Sequence, residues 1–260
     1  MNCHFRRIGA LVRLSLLELW RRNDMFALLV LALVLLVPLS LARPFGVSGA
    51  VRYFDEAALL LIWGYSLFIS LGIGGRLFTS EFDSRTIYPL LAKPVSRGEL
   101  LLGKYLGGVV ASLSALAFFY ALWMVSAALR GGEWLSACLL QAFVLHAMFA
   151  AFAVAMALCA SFLMTSSAGM TILAVLLPAM FFFGRRLPEY AGNVSGALRP
   201  LVYAFYWLAP HVEFFDMRQR LVHGWGGVDP VVFLAVVGYG LFYTVAALWL
   251  AHVIFKRKKL

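Results

Sequence analysis

"GELLLGKY", residues 98–105, decides the fold. Read as G-x-x-x-x-G-K, it departs at one position from the phosphate-cradling loop G-x-x-x-x-G-K-[ST], which sits between a strand and a helix of an α/β domain. Read as the first turns of a helix, it belongs to a different kind of molecule. A phosphate loop needs small residues whose backbone N–H groups wrap the phosphates, and a Ser or Thr hydroxyl for Mg²⁺. Here the four intervening residues are Glu99, Leu100, Leu101 and Leu102, and Tyr105 replaces the hydroxyl ligand. An apolar run follows, with no acidic strand end to hold the metal. Upstream, Pro94 cannot lie inside a regular helix. Ser96 and Glu99 have the S-x-x-E spacing of a capping box, in which each side chain satisfies the other residue's backbone N–H. The stretch therefore predicts a helix that starts at Ser96 and runs into an apolar segment. Gly103 and Gly107 form G-x-x-x-G at its mouth, a pattern suited to close contact with another helix.

That apolar segment is one of six. Of 260 residues, 63% are hydrophobic and 13% charged, against roughly half and a quarter in soluble domains. A spanning helix needs about 20 predominantly apolar residues. Segments 25–43, 57–78, 101–129, 135–163, 167–184 and 231–255 qualify, and the third and fourth are long enough to tilt or to project beyond the lipid. Pro178 falls inside the fifth, where a kink is expected. The expected fold is an all-α polytopic membrane protein with six transmembrane helices in a single domain, residues 1–260. Cys3, Cys138 and Cys159 are too few for a disulfide framework and read as small buried hydrophobes.

The net charge of +10 serves orientation rather than nucleic acid. With six spans both termini share one side. On that side lie fourteen Lys and Arg: Arg6, Arg7, Arg13, Arg21 and Arg22; Arg76, Arg85, Lys93, Arg97 and Lys104; and Lys256 to Lys259. Eight lie on the other. The bias places both termini in the cytoplasm, with the basic surplus facing anionic lipid headgroups. Residues 25–42 end in "SLA", a small-x-small pattern like a signal-peptidase site. The charged stretch before it argues for an uncleaved first span. On a helical wheel Phe5, Ile8, Val12, Leu16, Leu19 and Trp20 share one face, and Arg6, Arg7, Arg13, Glu18 and Arg21 the other. Residues 1–24 thus predict an amphipathic interfacial helix.

Segment 185–230, on the outer side, is too aromatic for a solvated linker. Tyr203, Tyr206, Trp207, Phe214, Phe215 and Trp225 suit a membrane interface. Pro200 and Pro210 divide the segment, and 211–223 is expected to be helical, with Asp216 and Arg220 paired at i, i+4. One or two short outer-leaflet helices are expected.

The inner segment 79–104, "TSEFDSRTIYPLLAKPVSRGELLLGK", interleaves charges with Ile87, Leu90 and Leu91. Thr86 is placed to cap a short helix with Pro89 in its first turn, ending before Pro94. The residues alone leave two readings: an amphipathic helix whose ridge needs a partner, or a solvated loop with local salt bridges of little worth.

The run from Glu81 to Lys104 resembles the inner segment of ATP-binding-cassette type 2 permeases, in particular the NosY-like branch of export-type subunits. The resemblance rests on the acidic pair Glu81 and Asp83, then Thr86, then Lys93, Pro94, Val95, Ser96 and Arg97 of "LLAKPVSR", then Gly103 and Lys104. Many members carry Gly where Arg85 stands, although one branch shares "RTIYPLLAKP". The six spans, the N-terminal amphipathic helix and the aromatic outer segment extend the likeness along the chain. The resemblance implies the permease subunit of an exporter in a bacterial cytoplasmic (inner) membrane. Such a subunit forms the substrate pathway with a second permease copy and couples to two copies of a separate ATPase, with room for an extracytoplasmic accessory protein. ATP and Mg²⁺ would sit on the ATPase, and this chain would bind no cofactor and catalyse nothing itself. Segment 79–104 would be the coupling segment. Glu81, Asp83, Arg85, Lys93 and Arg97 would be its charged contacts, and Ile87, Leu90 and Leu91 its buried ridge.

Two other functions are weighed. A secondary transporter driven by an ion gradient needs intramembrane carboxylates or broken helices at the midplane, and the spans hold no such carboxylates. A membrane-embedded enzyme needs clustered polar groups near one leaflet, and only 211–223 offers candidates: His211, Glu213, Asp216 and His223. Nothing fixes a ligand geometry there, and Arg–carboxylate pairing is expected instead. Met148, Met156 and Met164 form a stripe with His146 and Cys159 nearby. Such soft ligands suit Cu(I), and a copper-related substrate is associated with the NosY-like branch, but Met is also a common gap-filler between helices. Packing is expected for the stripe, and for His146 and His252.

Overall fold

The computed structural model describes residues 2–20, 30, 33–34, 50–79, 96–129, 136–193, 196 and 198–257. Among these, regular structure is helical only. The helices are α1 (Asn2–Trp20), α2 (Ala50–Arg76), α3 (Arg97–Leu129), α4 (Ala137–Leu163), α5 (Ser166–Phe183), α6 (Leu187–Asn193), α7 (Leu198–Leu208), α8 (Arg218–His223) and α9 (Pro230–Arg257). Five are long and apolar enough to cross a membrane: α2 from Arg52, α3, α4, α5 and α9. They match the expected second to sixth spans within a few residues. The expected first span, 25–43, lies outside the described residues apart from Val30, Leu33 and Val34.

α4 is the hub because it is apolar on every face. α2, α3, α5 and α9 all pack on it. Ala150, Ala153, Ala155 and Ala157 on this helix are at most 1% exposed. Lipid tails are as apolar as side chains, so helices in a bilayer are held by close packing rather than by a hydrophobic driving force, and small residues permit that closeness. Gly74 of α2 shows how close the approach is. A Cβ built there would stand 2.5 Å from the Val154 carbonyl oxygen and 2.8 Å from the Ala157 Cβ. α5 and α9 lie at the edge of the bundle, with only 28% and 17% of their most apolar stretches buried. Pro178 lies inside α5.

A polar tie crosses the buried centre. His146 of α4 is 4% exposed. Its Nε2 is hydrogen-bonded to Ser66 Oγ of α2 and its Nδ1 to the Tyr120 hydroxyl of α3, 3.2 Å away. Both ring nitrogens are thus satisfied by neighbouring helices, and His146 is a packing residue. The methionine stripe does not converge on a site. Met148 and Met156 are half-buried in the bundle, while Met164 is exposed beyond the end of α4. Among the described residues no three of His, Cys, Asp and Glu gather as metal ligands.

Residues 198–228, between α6 and α9, fold onto the bundle. The Gln141 amide of α4 grips the backbone of Val228 from both sides: Nε2 donates to the Val228 carbonyl at 2.9 Å, and the Val228 N–H donates to Oε1 at 2.7 Å. His211 stacks on Phe214, with ring centroids 5.2 Å apart, and its backbone N–H donates to the Tyr239 hydroxyl at 2.8 Å. Residues 211–223 do not form the single helix expected. Val212–Phe215 is one 3₁₀ turn and α8 is separate. Asp216 is the breaker. Its backbone is extended, and Oδ1 accepts the Arg218 backbone N–H at 3.0 Å, an alternative to helical bonding that Asp side chains offer. The same carboxylate holds the Arg218 guanidinium at 2.8 and 3.0 Å, so the pairing is with Arg218 rather than with Arg220. Trp207 and Trp225 are exposed, while Phe215 is buried against Phe149.

Candidate functional site at the joined ends of the helices

The chain direction alternates through the bundle, so α2, α4 and α9 end on the side where α3 and α5 begin. Three aromatic rings join those ends. Phe78 follows α2, and Phe162 and Phe255 occupy the last turns of α4 and α9. Their centroids lie 5.1 Å (Phe78–Phe162), 5.3 Å (Phe78–Phe255) and 5.1 Å (Phe162–Phe255) apart, and the last pair is stacked. None is more than 6% exposed. Each such pair contributes about 0.5–1.5 kcal/mol beyond its burial.

Two cations from the first turns of α3 cover this cluster. Lys104 is 1% exposed. Its Nζ donates to the Leu77 carbonyl at 2.7 Å, lies 3.5 Å from Glu18 Oε2 of α1, and stands 5.4 Å from the Phe78 ring centroid. The Leu77 carbonyl is an orphan acceptor just past the end of α2, at the negative end of that helix's dipole, where a cation is favoured. Arg97 does the same for α9. Its Nη1 donates to the carbonyls of Phe255 at 2.9 Å and Lys256 at 3.1 Å, and its guanidinium lies over the Phe255 ring.

α3 itself starts in a reciprocal cap. The Ser96 N–H donates to Glu99 Oε2 at 2.7 Å, and the Glu99 N–H to Ser96 Oγ at 3.1 Å. Residues 98–105 are helical, and Lys104 is committed to the ends of α1 and α2, so this stretch has neither the loop nor the free lysine of a phosphate site. The G-x-x-x-G face receives α1. A Cβ on Gly103 would meet the Leu11 Cβ at 2.6 Å, and one on Gly107 the Ser15 Cβ at 2.7 Å. α1 therefore docks through Leu11 and Ser15, both buried, while Ile8, Val12, Leu16 and Leu19 of its expected apolar face are half-buried.

Of the residues expected to carry the coupling, the structure describes Ser96, Arg97 and Glu99. Glu81, Asp83, Arg85, Thr86, Ile87, Leu90, Leu91 and Lys93 lie outside the described residues. Arg97, expected among the charged contacts, turns its guanidinium onto α9. The partners of Lys104, and the three rings, are tertiary facts that no local pattern signals. The one clue in the chain is a lysine placed among Leu and Gly at the start of a spanning helix.

The described residues form a helical bundle with five helices long and apolar enough to cross a membrane, joined to one another at one set of ends, which is the architecture of a polytopic membrane protein. Residues 67–260 match the family model described as "ABC-2 family transporter protein", and the chain belongs to that family, the permease components of ATP-binding-cassette transporters. Such permeases work with an ATP-binding-cassette ATPase. No curated protein matches the chain.

Proposed function

We propose that this chain is the permease of an ATP-driven exporter of the NosY-like branch. It forms the substrate pathway with a second permease copy and is driven by two copies of an ATPase that holds ATP and Mg²⁺. It lies in a bacterial cytoplasmic membrane with both termini inside. Segment 79–104 is the coupling segment: Glu81, Asp83, Arg85 and Lys93 meet the ATPase, and Ile87, Leu90 and Leu91 fill its groove.

The observation that carries this reading is the frame at the two roots of the segment. One root follows α2, whose end Lys104 caps, and the other is the capped start of α3. A push on a segment held this way reaches α2 and α3 directly, α9 through Arg97, and α4 through the aromatic rings. It need not be absorbed by fraying helix ends. The ATPase then acts as a ligand that binds one arrangement of the bundle better than another, and it shifts the equilibrium by that difference.

Two substitutions test the reading from different sides. Leu90→Asp removes the ridge alone. Arg97→Glu removes charge-assisted bonds of about 1.5–3 kcal/mol and sets a carboxylate against the end of α9. Both are expected to insert in the membrane yet uncouple ATP hydrolysis from transport. Unchanged transport in both would remove the segment from the mechanism. The tagged chain is also expected to capture an ATPase subunit and to hydrolyse no ATP alone. Transport by the isolated chain along an ion gradient would overturn the reading.

A further inference from the structure

Rings and cations tie α2, α3, α4 and α9 at their joined ends. α5 is tied there by a different device, which begins with two adjacent glycines near the end of α2. A Cβ on Gly74 would run into Val154 and Ala157 of α4. One on Gly75 would stand 2.8 Å from Met170 Cγ and 3.2 Å from Ser166 Oγ, both of α5. The two missing side chains let the last turn of α2 press on both helices.

A hydrogen-bonded junction forms at that contact. Gly75 is among the last four residues of α2, whose carbonyls have no partner within the helix. Its oxygen accepts from Ser166 Oγ at 2.7 Å and from Thr79 Oγ1 at 2.8 Å, which engages both lone pairs. Ser166 is the first residue of α5, and Thr79 is the first residue of segment 79–104. A hydroxyl at a helix start ordinarily accepts from that helix's own N–H groups. At this start Thr165 makes no such cap, and Ser166 reaches across to α2 instead.

The junction matters because α5 is otherwise held lightly. Only 28% of its most apolar stretch is buried. Further along, Phe181 packs on Trp63 of α2 with ring centroids 4.4 Å apart, but apolar contact is non-directional and does not fix how far one helix has slid along the other. The hydrogen bond to a single carbonyl does. At their far ends the two helices border a cleft of about 1010 Å³, with Tyr53 and Glu56 of α2 and Phe181 and Phe182 of α5 in its lining.

We infer that Ser166 is a positioning residue for transport. It fixes the register of α5 on α2, so that a displacement at Thr79 and the end of α2 is delivered to α5 and reshapes the cleft at the far ends. The inference deepens the coupling reading of segment 79–104 and rests on it. Energetic coupling of this kind runs through hydrogen bonds and rigid helices that have two arrangements.

The test uses the permease with its captured ATPase in nanodiscs, with Cys3, Cys138 and Cys159 replaced by Ala. Single cysteines are introduced at two exposed positions of the cleft, Phe182→Cys on α5 and Tyr53→Cys on α2. The rate of modification by a charged, water-soluble maleimide is read without nucleotide and after trapping with ATP, Mg²⁺ and vanadate. In the parent, trapping is expected to change the rate at both positions. Ser166→Ala is expected to lose the change at position 182 and keep that at position 53. Ser166→Thr, which restores the hydroxyl, is expected to regain it. A change at position 182 that persists in Ser166→Ala overturns the inference. Loss of both changes in Ser166→Ala also overturns it, because Ser166 is then a packing residue and not a link to α5. A parent in which trapping changes neither rate overturns the coupling reading itself, and the inference with it.

Discussion

Lys104→Met is expected to destabilise the bundle by about 1.5–3 kcal/mol, the worth of a hydrogen bond to a charged group, and to abolish most transport. The magnitudes say where the loss arises. Methionine keeps most of the volume, so no large cavity opens. The contact with Glu18 is long, at 3.5 Å, and the Glu18 side chain is 35% exposed. A pair of that kind is worth about 1 kcal/mol at most. The bond to the Leu77 carbonyl is short and buried, and its loss strands an acceptor at the root of segment 79–104. Glu18→Gln is therefore expected to have less than half the effect of Lys104→Met in thermal unfolding of the purified chain. Equal effects would mean that the ion pair, not the cap on α2, is what Lys104 provides. Transport that survives Lys104→Met would show that the root need not be rigid.

Gly103→Leu combined with Gly107→Leu is expected to expel α1 from its seat. Cβ atoms alone would stand 2.6 and 2.7 Å from the Leu11 and Ser15 Cβ atoms. Those partners are the stems of side chains, which cannot swing away as a flexible tip would, so the helix must leave. Overpacking at one such position costs about 1–3 kcal/mol. Two on one face would cost about 2–6 kcal/mol at that rate, all of it set against the docking of α1. The measurement is limited trypsin digestion in membranes. Arg13 is expected to become a cleavage site in the double variant and to stay protected in the parent. Protection in both would show that α1 is held by something other than this face. Detachment of α1 also withdraws Glu18 from Lys104, so the double variant is expected to reproduce the small Glu18→Gln effect.

Much of this architecture was legible in the chain. The five described spans are long apolar runs, and length and composition alone mark them. The start of α3 was legible because capping is local: Ser96 and Glu99 need only each other. What failed to show was non-local or balanced between local alternatives. The pattern 103–107 announced a close helix contact but not that α1 would supply the partner. The apolar stripe of α1 suggested Ile8 and Val12 as the buried face, whereas close approach selected Leu11 and Ser15, where two glycines leave room. In 211–223 the helical spacing of Asp216 and Arg220 competed with the habit of Asp to capture a nearby backbone N–H, and the latter won. For Lys104 the residue was visible but its acceptor was not, since a backbone carbonyl has no signature in sequence.

The seat of α1 also imposes an order of events during synthesis. Its residues emerge before their partners: Gly103 and Gly107 follow about ninety residues later, a wait of roughly 5–20 s at ordinary translation speeds. Through that interval Leu11 and Ser15 have no glycine face to meet. The amphipathic character of α1 gives it somewhere to stay: flat on the membrane surface, until α3 is threaded and the helix can be collected.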